Sequence, residues 1–259
     1  LSHNIHLVMA DTLVRGVALS DPRARAALEA MGIDTCCGGG RPLKDAAAEA
    51  GIPLETVVSA VAKAVSVPLE TASETSTERE TDWREAPIGD IVQHIQSTHH
   101  ATTRLLLDRI HERMTKVVRA HGARHGAMLV PLQKEFETLR ADLLPHLSKE
   151  EDILFPYMLQ LSTALETGAP LPPMCCGHVS NPINQMMREH SAAGSELVTM
   201  RALTDGYTLP EGSCPTFAAM YQDMQHLEAD LHNHIFLENN ILFPRTVEGA
   251  KGERVTVDL

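Results

Sequence analysis

The chain has 259 residues, 43% of them hydrophobic and only 3% aromatic, with a formal charge of -12 at pH 7. That length holds a medium domain plus a small one around ordinary cores. The acidic balance excludes nucleic acid or an anionic membrane surface as a principal partner, because no lysine and arginine stripe is present to displace counterions. No stretch approaches the roughly 20 apolar residues needed to cross a bilayer. β-branched alternation is scarce beside Ala, Leu, Met, Glu and Gln, so an all-α fold is expected.

The opening LSHNIHLVMADTLVRGVALSD has no compact apolar core followed by a small-residue cleavage site, so no secretion signal is expected. Residues 1–66 read as a small helical N-terminal domain. Helical patterns lie around Leu13 to Gly16 and Ala24 to Met31, DTCCGGGRP follows at 34–42, and further helices are expected over 43–50 and 54–65. Positive φ at Gly38, Gly39 and Gly40 would let the backbone turn tightly beside the thiols of Cys36 and Cys37. Adjacent cysteines on such a turn can form a strained, easily reduced disulfide or offer soft ligands to a metal, so Cys36 and Cys37 are candidates for thiol redox chemistry or transient iron binding. The five cysteines fall as two adjacent pairs plus Cys214, not as the spaced framework of a secreted scaffold, and a reducing cytoplasm is the simpler setting.

Residues 67–84, VPLETASETSTERETDWR, are polar, acidic and rich in Ser and Thr, as a linker would be. A second domain is expected over 85–248. Helical patterns run roughly from Ile88 to Ala120, Leu132 to Leu161, Pro182 to Leu203 and Thr216 to Asn240. The second carries Phe136, Leu139, Leu143, His146, Glu150, Ile153 and Tyr157 at steps of three and four. The third carries Ile183, Met187, His190, Gly194 and Leu197. The fourth carries Met220, Met224, Leu227, Leu231, His234, Glu238 and Ile241. Four helices with one apolar seam each predict an up-down bundle, built as a duplicated hairpin.

One phrase occurs twice, HLSKEEDILFP from His146 to Pro156 and HIFLENNILFP from His234 to Pro244. Each reads His-x-x-x-Glu-x-x-Ile-Leu-Phe-Pro, and residues four apart share a helix face, so each copy aims an imidazole and a carboxylate at one point. The closing proline predicts a kink or an end to the helix. A carboxylate in a bundle seam must be paired, protonated or metal-bound, since burying it bare costs several kcal/mol. The rival reading, two Glu–His pairs that only fix helix register, leaves the seam histidines of the first and third helices without a use. Four histidines and two carboxylates suit a dinuclear transition-metal centre in which each Glu bridges and two histidines cap each ion. Open positions on the ions would take O₂, NO or water.

For the first helix the choice lies between His99 and His100. Ile88, Val92 and Ile95 extrapolate to His99, whereas Leu107, Ile110 and Met114 extrapolate back to His100. His121 would lie about 31 Å from His100 along a straight helix and cannot join the same site unless that helix folds back. Asp142, one turn before His146, and Glu189, beside His190, are placed to orient ligands or line an access route.

Together these residues resemble the iron-sulfur cluster repair di-iron proteins, the RIC or YtfE/ScdA group. The resemblance covers almost the whole chain and is carried by DTCCGGGRPLKDAA, the junction DWREAPIGDIVQHI at 82–95, REHSAAG at 188–194 and both ILFP phrases. It implies a hemerythrin-like four-helix bundle with a non-haem di-iron centre, oxo- and carboxylate-bridged, held by His100, His146, Glu150, His190, His234 and Glu238. It implies repair of iron-sulfur clusters damaged by nitrosative or oxidative stress through iron donation, with damaged iron-sulfur proteins as partners. NO reduction, or NO and O₂ binding at the centre, is the alternative, and a homodimer is left open. The chain departs from shorter members at PPMCCGHVSNP, 172–182. Cys175, Cys176 and His178 there form either a thiolate and imidazole docking loop or a simple turn.

Overall fold

The computed structural model describes residues 11–66, 81–174 and 177–251. Most of the expected linker, 67–80, and both Cys175 and Cys176 lie outside the described residues. Every regular element among the described residues is helical, with one isolated β-bridge between Leu13 and Pro42, as the composition predicts. The chain divides into two compact units. One gathers residues up to Ala86 and the segment Phe236–Pro244, and the other is Pro87–Ile235 with the stretch from Arg245.

In the first unit lie α1 (Val14–Ser20), α2 (Pro22–Ala30), α3 (Leu43–Glu49) and α4 (Leu54–Ser66). Asp21 caps α2, accepting from the N–H of Arg23 at 2.8 Å, while Pro22 fills a first-turn position whose N–H would have no helical acceptor. Val14, Val17, Leu28, Leu43 and Val57 form the buried centre of this unit. The turn at 34–41 is built differently from the sequence expectation, because none of Gly38, Gly39 and Gly40 adopts positive φ. Two of these glycines are required by close approach: a Cβ on Gly38 would crowd the Asp34 carbonyl, and one on Gly39 would overlap the Asn240 side chain. Asn240 donates to the Thr35 carbonyl at 3.1 Å and Asn239 to the Cys36 carbonyl at 3.1 Å.

In the second unit, α5 (Ile88–His94) passes through a π-helical turn (Ile95–His100) into α6 (Ala101–Lys149), a second π turn (Glu150–Leu154) and α7 (Phe155–Thr167). After α8 (Ser180–Leu203) comes α9 (Pro215–Leu237), continued in sequence by a third π turn (Glu238–Leu242) and α10 (Phe243–Ala250), of which Phe236–Pro244 is counted with the first unit. The long α6 is folded back at His125, whose φ of -120° and ψ of 17° leave the helical region. Arg140 donates to Asp108 at 2.9 Å and His111 pairs with Glu137 at 2.6 Å, so the two arms run antiparallel. A connector was expected between about 120 and 132, but one residue suffices. His121 therefore sits at the hairpin end, its ring 5.4 Å from that of Phe217 and far along the arm from His100.

Leu107, Ile110 and Met114 on one arm and Leu132, Phe136 and Leu139 on the other pack with Leu197, Met224 and Leu231 as a continuous core. Two buried acids of α9 tie it to its neighbours: Asp223 receives Arg109 at 2.7 Å, as well as Arg113, from the first arm of α6, and Glu228 receives Arg201 of α8 at 2.8 Å.

A π turn corrects the seam predicted for the second helix, while Ile241, expected inside on the fourth, is buried. Widening one turn takes up an extra residue and rotates everything downstream by about 100°. Accordingly Ile153, expected inside, is 51% exposed, while Leu154, Phe155 and Met158 are buried in its stead. Pro156 and Pro244 do not end their helices; each lies in the first turn of the α-helix that follows a π turn. On α8, which has no π turn, Met186 and Ala193 are buried and the expected Met187 is exposed, a one-residue misjudgement of the seam.

Candidate metal centre

Three of the four polypeptide lengths that line the centre bring their ligands at a π turn. His100 closes the first, Glu150 opens the second and Glu238 opens the third. His146 and His234 precede their glutamates by one turn, as the repeated phrase predicts, and His190 faces them from the middle of α8. The first π turn also resolves why periodicity could not choose between His99 and His100. The inserted residue shifts phase by one, so the upstream seam ends on His99, the downstream seam begins on His100, and both are buried.

The structure brings six residues into two overlapping sets, His100, Glu150, His234 and Glu238 in one and His146, Glu150, His190 and Glu238 in the other. Within each set the ligand atoms lie within 4.8 Å of one another, and both carboxylates belong to both sets. Glu150 and Glu238 are 0% exposed, and the four histidines are 1–2% exposed.

Carboxylates outside the sets orient two of the rings. His100 Nδ1 is 2.7 Å from Glu151, which also holds Arg104 at 2.8 Å. His146 Nδ1 is 2.8 Å from Glu189, itself held by Lys149 at 2.5 Å and Gln185 at 2.9 Å. Partial burial alone would raise the Glu189 carboxyl, but its bonds to Lys149, Gln185 and His146 hold it down at about 2. Glu151 is likewise lowered by His100 and Arg104 against the effect of its own burial. A carboxylate can only accept, so each imidazole donates from Nδ1 and turns an Nε2 lone pair inward.

Those inward lone pairs test whether metal ions fit. His100 Nε2 lies 3.3 Å from His234 Nε2, and His146 Nε2 lies 3.1 Å from His190 Nε2. Each also stands 3.4 Å from an oxygen of Glu150. Lone pairs and carboxylate oxygens gathered this closely, out of water, need protons or cations among them. Two ligands about 2.1 Å from one ion at a right angle would be about 3.0 Å apart, close to the separations seen. The donor set thus fits a pair of transition-metal ions.

Beside His146 a cavity of about 270 Å³ is lined by Asp142, Lys149, Glu189 and the small side chains of Ala141, Ala192 and Ala193. Asp142 touches this opening without reaching the two sets. Glu196 is raised to about 7, first by burial and then by the charges of Asp142 and Glu135. Sequence reasoning missed Glu151 and the pair His99–Asp230, with His99 Nδ1 2.8 Å from Asp230. The doubled acid Glu150-Glu151 was the available signal for the former; Asp230 lies one turn before His234, a spacing that could have flagged the latter.

Cys36 and Cys37 lie in no disulfide, their sulfurs 3.9 Å apart. Asp34 accepts the N–H of each at 2.9 Å and lies 3.1 Å from the Cys36 sulfur, and these three side chains form a third cluster of metal-ligating atoms. The Cys37 thiol, burial and Asp34 push the Cys36 thiol up. His178 is engaged locally, accepting from the Ser180 hydroxyl at 2.8 Å.

Residues 91–246 match the model of the hemerythrin HHE cation binding domain, and residues 10–65 match a second model, a domain of unknown function designated ScdA_N. The chain is 36% identical to the iron-sulfur cluster repair protein YtfE of Escherichia coli O157:H7, over 90% of this chain and 95% of that protein. It is 34% identical to the protein of the same name from Cronobacter sakazakii, over 91% and 96%, and 35% identical to that of Shigella boydii, over 90% and 95%. The HHE domain and the buried His/Glu sets fit a di-iron centre. With both domains matched and relatives aligned along nearly their full lengths, the chain belongs to the hemerythrin-type family of the iron-sulfur cluster repair protein YtfE.

Proposed function

We propose that this protein repairs iron-sulfur clusters damaged by nitrosative or oxidative stress, donating iron from a centre held by His100, His146, Glu150, His190, His234 and Glu238. The observation that carries the reading is the sharing of Glu150 and Glu238 between two four-residue sets, which provides for two neighbouring ions with only six side chains. When bound, the iron pair supplies both the cargo and redox-active, NO-binding character. The residues around it do the rest. Glu151 and Glu189 hold the His100 and His146 rings in one tautomer, and the cavity between α6 and α8 reaches His146 from outside. Damaged iron-sulfur proteins are the proposed partners, after the activity named for the relatives, and a reducing cytoplasm suits Cys36 and Cys37, which lie in no disulfide.

The test loads the full chain with iron and follows reactivation of a cluster enzyme inactivated by NO. Faster recovery than with equal free iron supports donation, and equal recovery ends it. Adjacent ion positions also favour a second reading, reduction of NO to N₂O. Repeated turnovers of N₂O per chain under excess reductant would establish that activity.

A further inference from the structure

His99 is 6% exposed and belongs to neither ligand set, yet it is built into the wall of one. The π turn carries two consecutive side chains inward, His100 toward the carboxylates and His99 against the side of His234. The rings of His99 and His234 are parallel to within 4°, with centroids 5.7 Å apart. His99 also meets His94 in an edge-to-face arrangement, at 5.2 Å and 90°. Its Nδ1 is fixed at 2.8 Å by Asp230, which stands on α9 one turn before His234. The brace therefore leaves α9 at Asp230, crosses to His99 and returns to α9 as a flat face against His234.

Hydrogen bonds donated from Nδ1 to Glu151 and Glu189 set the planes of His100 and His146. At His234 a clamped aromatic plane lies against the ring itself, so rotation about the last side-chain torsion would drive one imidazole into the other. We infer that His99, held by Asp230, is a positioning residue that fixes the His234 imidazole and thereby makes the His100/His234 half of the centre the more firmly set. This rests on the six-ligand reading proposed above. A loosened His234 weakens one ion and leaves its neighbour, held by His146 and His190, nearly as before.

The experiment compares full-length parent, His99→Ala, His99→Phe and Asp230→Asn after anaerobic loading with ferrous iron. Iron per chain, the time course of iron loss to a ferrous chelator, and Mössbauer spectra are read for each, with circular dichroism confirming the fold. Parent protein that fails to hold two irons defeats the ligand reading itself and is distinct from any outcome below. With two irons in the parent, His99→Ala is expected to release one iron about ten-fold faster and to alter one of the two iron signals. His99→Phe restores the flat face and should return release to near the parent rate; Asp230→Asn should fall between. Parent-like release and spectra in His99→Ala overturn the inference, as does equal acceleration of both irons. Should His99→Ala not fold, Phe and Asn variants that both accelerate release equally overturn it, because the plane and not the polar atom is claimed to act.

Discussion

Glu150 brings Oε1 to 3.4 Å from His146 Nε2, one turn earlier on the same length of helix, while its Oε2 stands 3.4 Å from His100 Nε2 on another. One carboxylate thus reaches into both ligand sets, and Glu238 belongs to both as well. Replacing either by Leu is expected to cost most of one iron, reducing the metal content from about two per chain to about one or less. Elemental analysis of Glu150→Leu and Glu238→Leu checks this, and two irons retained in either variant would contradict the ligand map.

Removing metal should also destabilise the fold. Inward lone pairs on His100 and His146 beside two fully buried acids are tolerable when cations lie among them and costly otherwise. Ions present at a hundred times their dissociation constant would contribute about 2.7 kcal/mol, equivalent to a Tm rise of roughly 5–10 °C for a chain of this size. Calorimetry of iron-loaded protein against chelated protein measures the difference; coincident transitions would speak against a metal-dependent core.

Much of this centre was legible from spacing alone, because His-x-x-x-Glu on a helix fixes direction as well as distance. The repeated phrase placed His146, Glu150, His234 and Glu238, and the seam placed His190. What the sequence concealed was the π turn. Ile153 and Tyr157 continue the α-periodic pattern without interruption, yet Ile153 is exposed and Leu154 is buried, because an inserted residue leaves no compositional mark. The conflict between His99 and His100 was the one visible trace: two phases meeting one residue apart are what such a turn produces. The hairpin itself was legible as the gap between the Ile88–Ala120 and Leu132–Leu161 patterns; what was not legible is that His125 alone makes the bend, with helix continuing on both sides of it.

Glu189 links the His146 ring to Lys149 and Gln185, so it stabilises the imidazole in the tautomer that faces the metals. Glu189→Gln keeps the volume and loses the charge. Metal affinity at the His146/His190 half should fall by about 10–100-fold. Competition with a graded series of chelators reads this directly, and undiminished affinity would show that the contact with His146 has no bearing on the centre.

The turn bearing Cys36 and Cys37 is specified by a close approach between Gly39 and Asn240. A methyl on Gly39 would overlap the Asn240 side chain, which also donates to the Thr35 carbonyl at 3.1 Å. Gly39→Ala should therefore destabilise this unit by about 1–3 kcal/mol, through displaced packing and a lost hydrogen bond. Adding Asn240→Ala removes the obstruction, so the double variant should lose less than the sum of the single losses. Urea unfolding of the four proteins gives the cycle, and strict additivity would mean that the two positions do not interact.

The thiol of Cys214, just before α9, is lowered from the ordinary thiol range to about 7, chiefly by a hydrogen bond with the His121 side chain and then by the N–H groups of Phe217 and Thr216. A depressed thiol pKa means that the reactive thiolate is present above about pH 7 and lost below it. Alkylation by iodoacetamide, followed at Cys214 by mass spectrometry, should rise with pH to half its limiting rate near 7. His121→Ala removes the larger cause and should move that midpoint upward by about one unit, leaving the contribution of the helix start in place. An unchanged midpoint in His121→Ala would show that the imidazole does not act on the thiol, and a midpoint near 9 in the parent would show that neither influence operates.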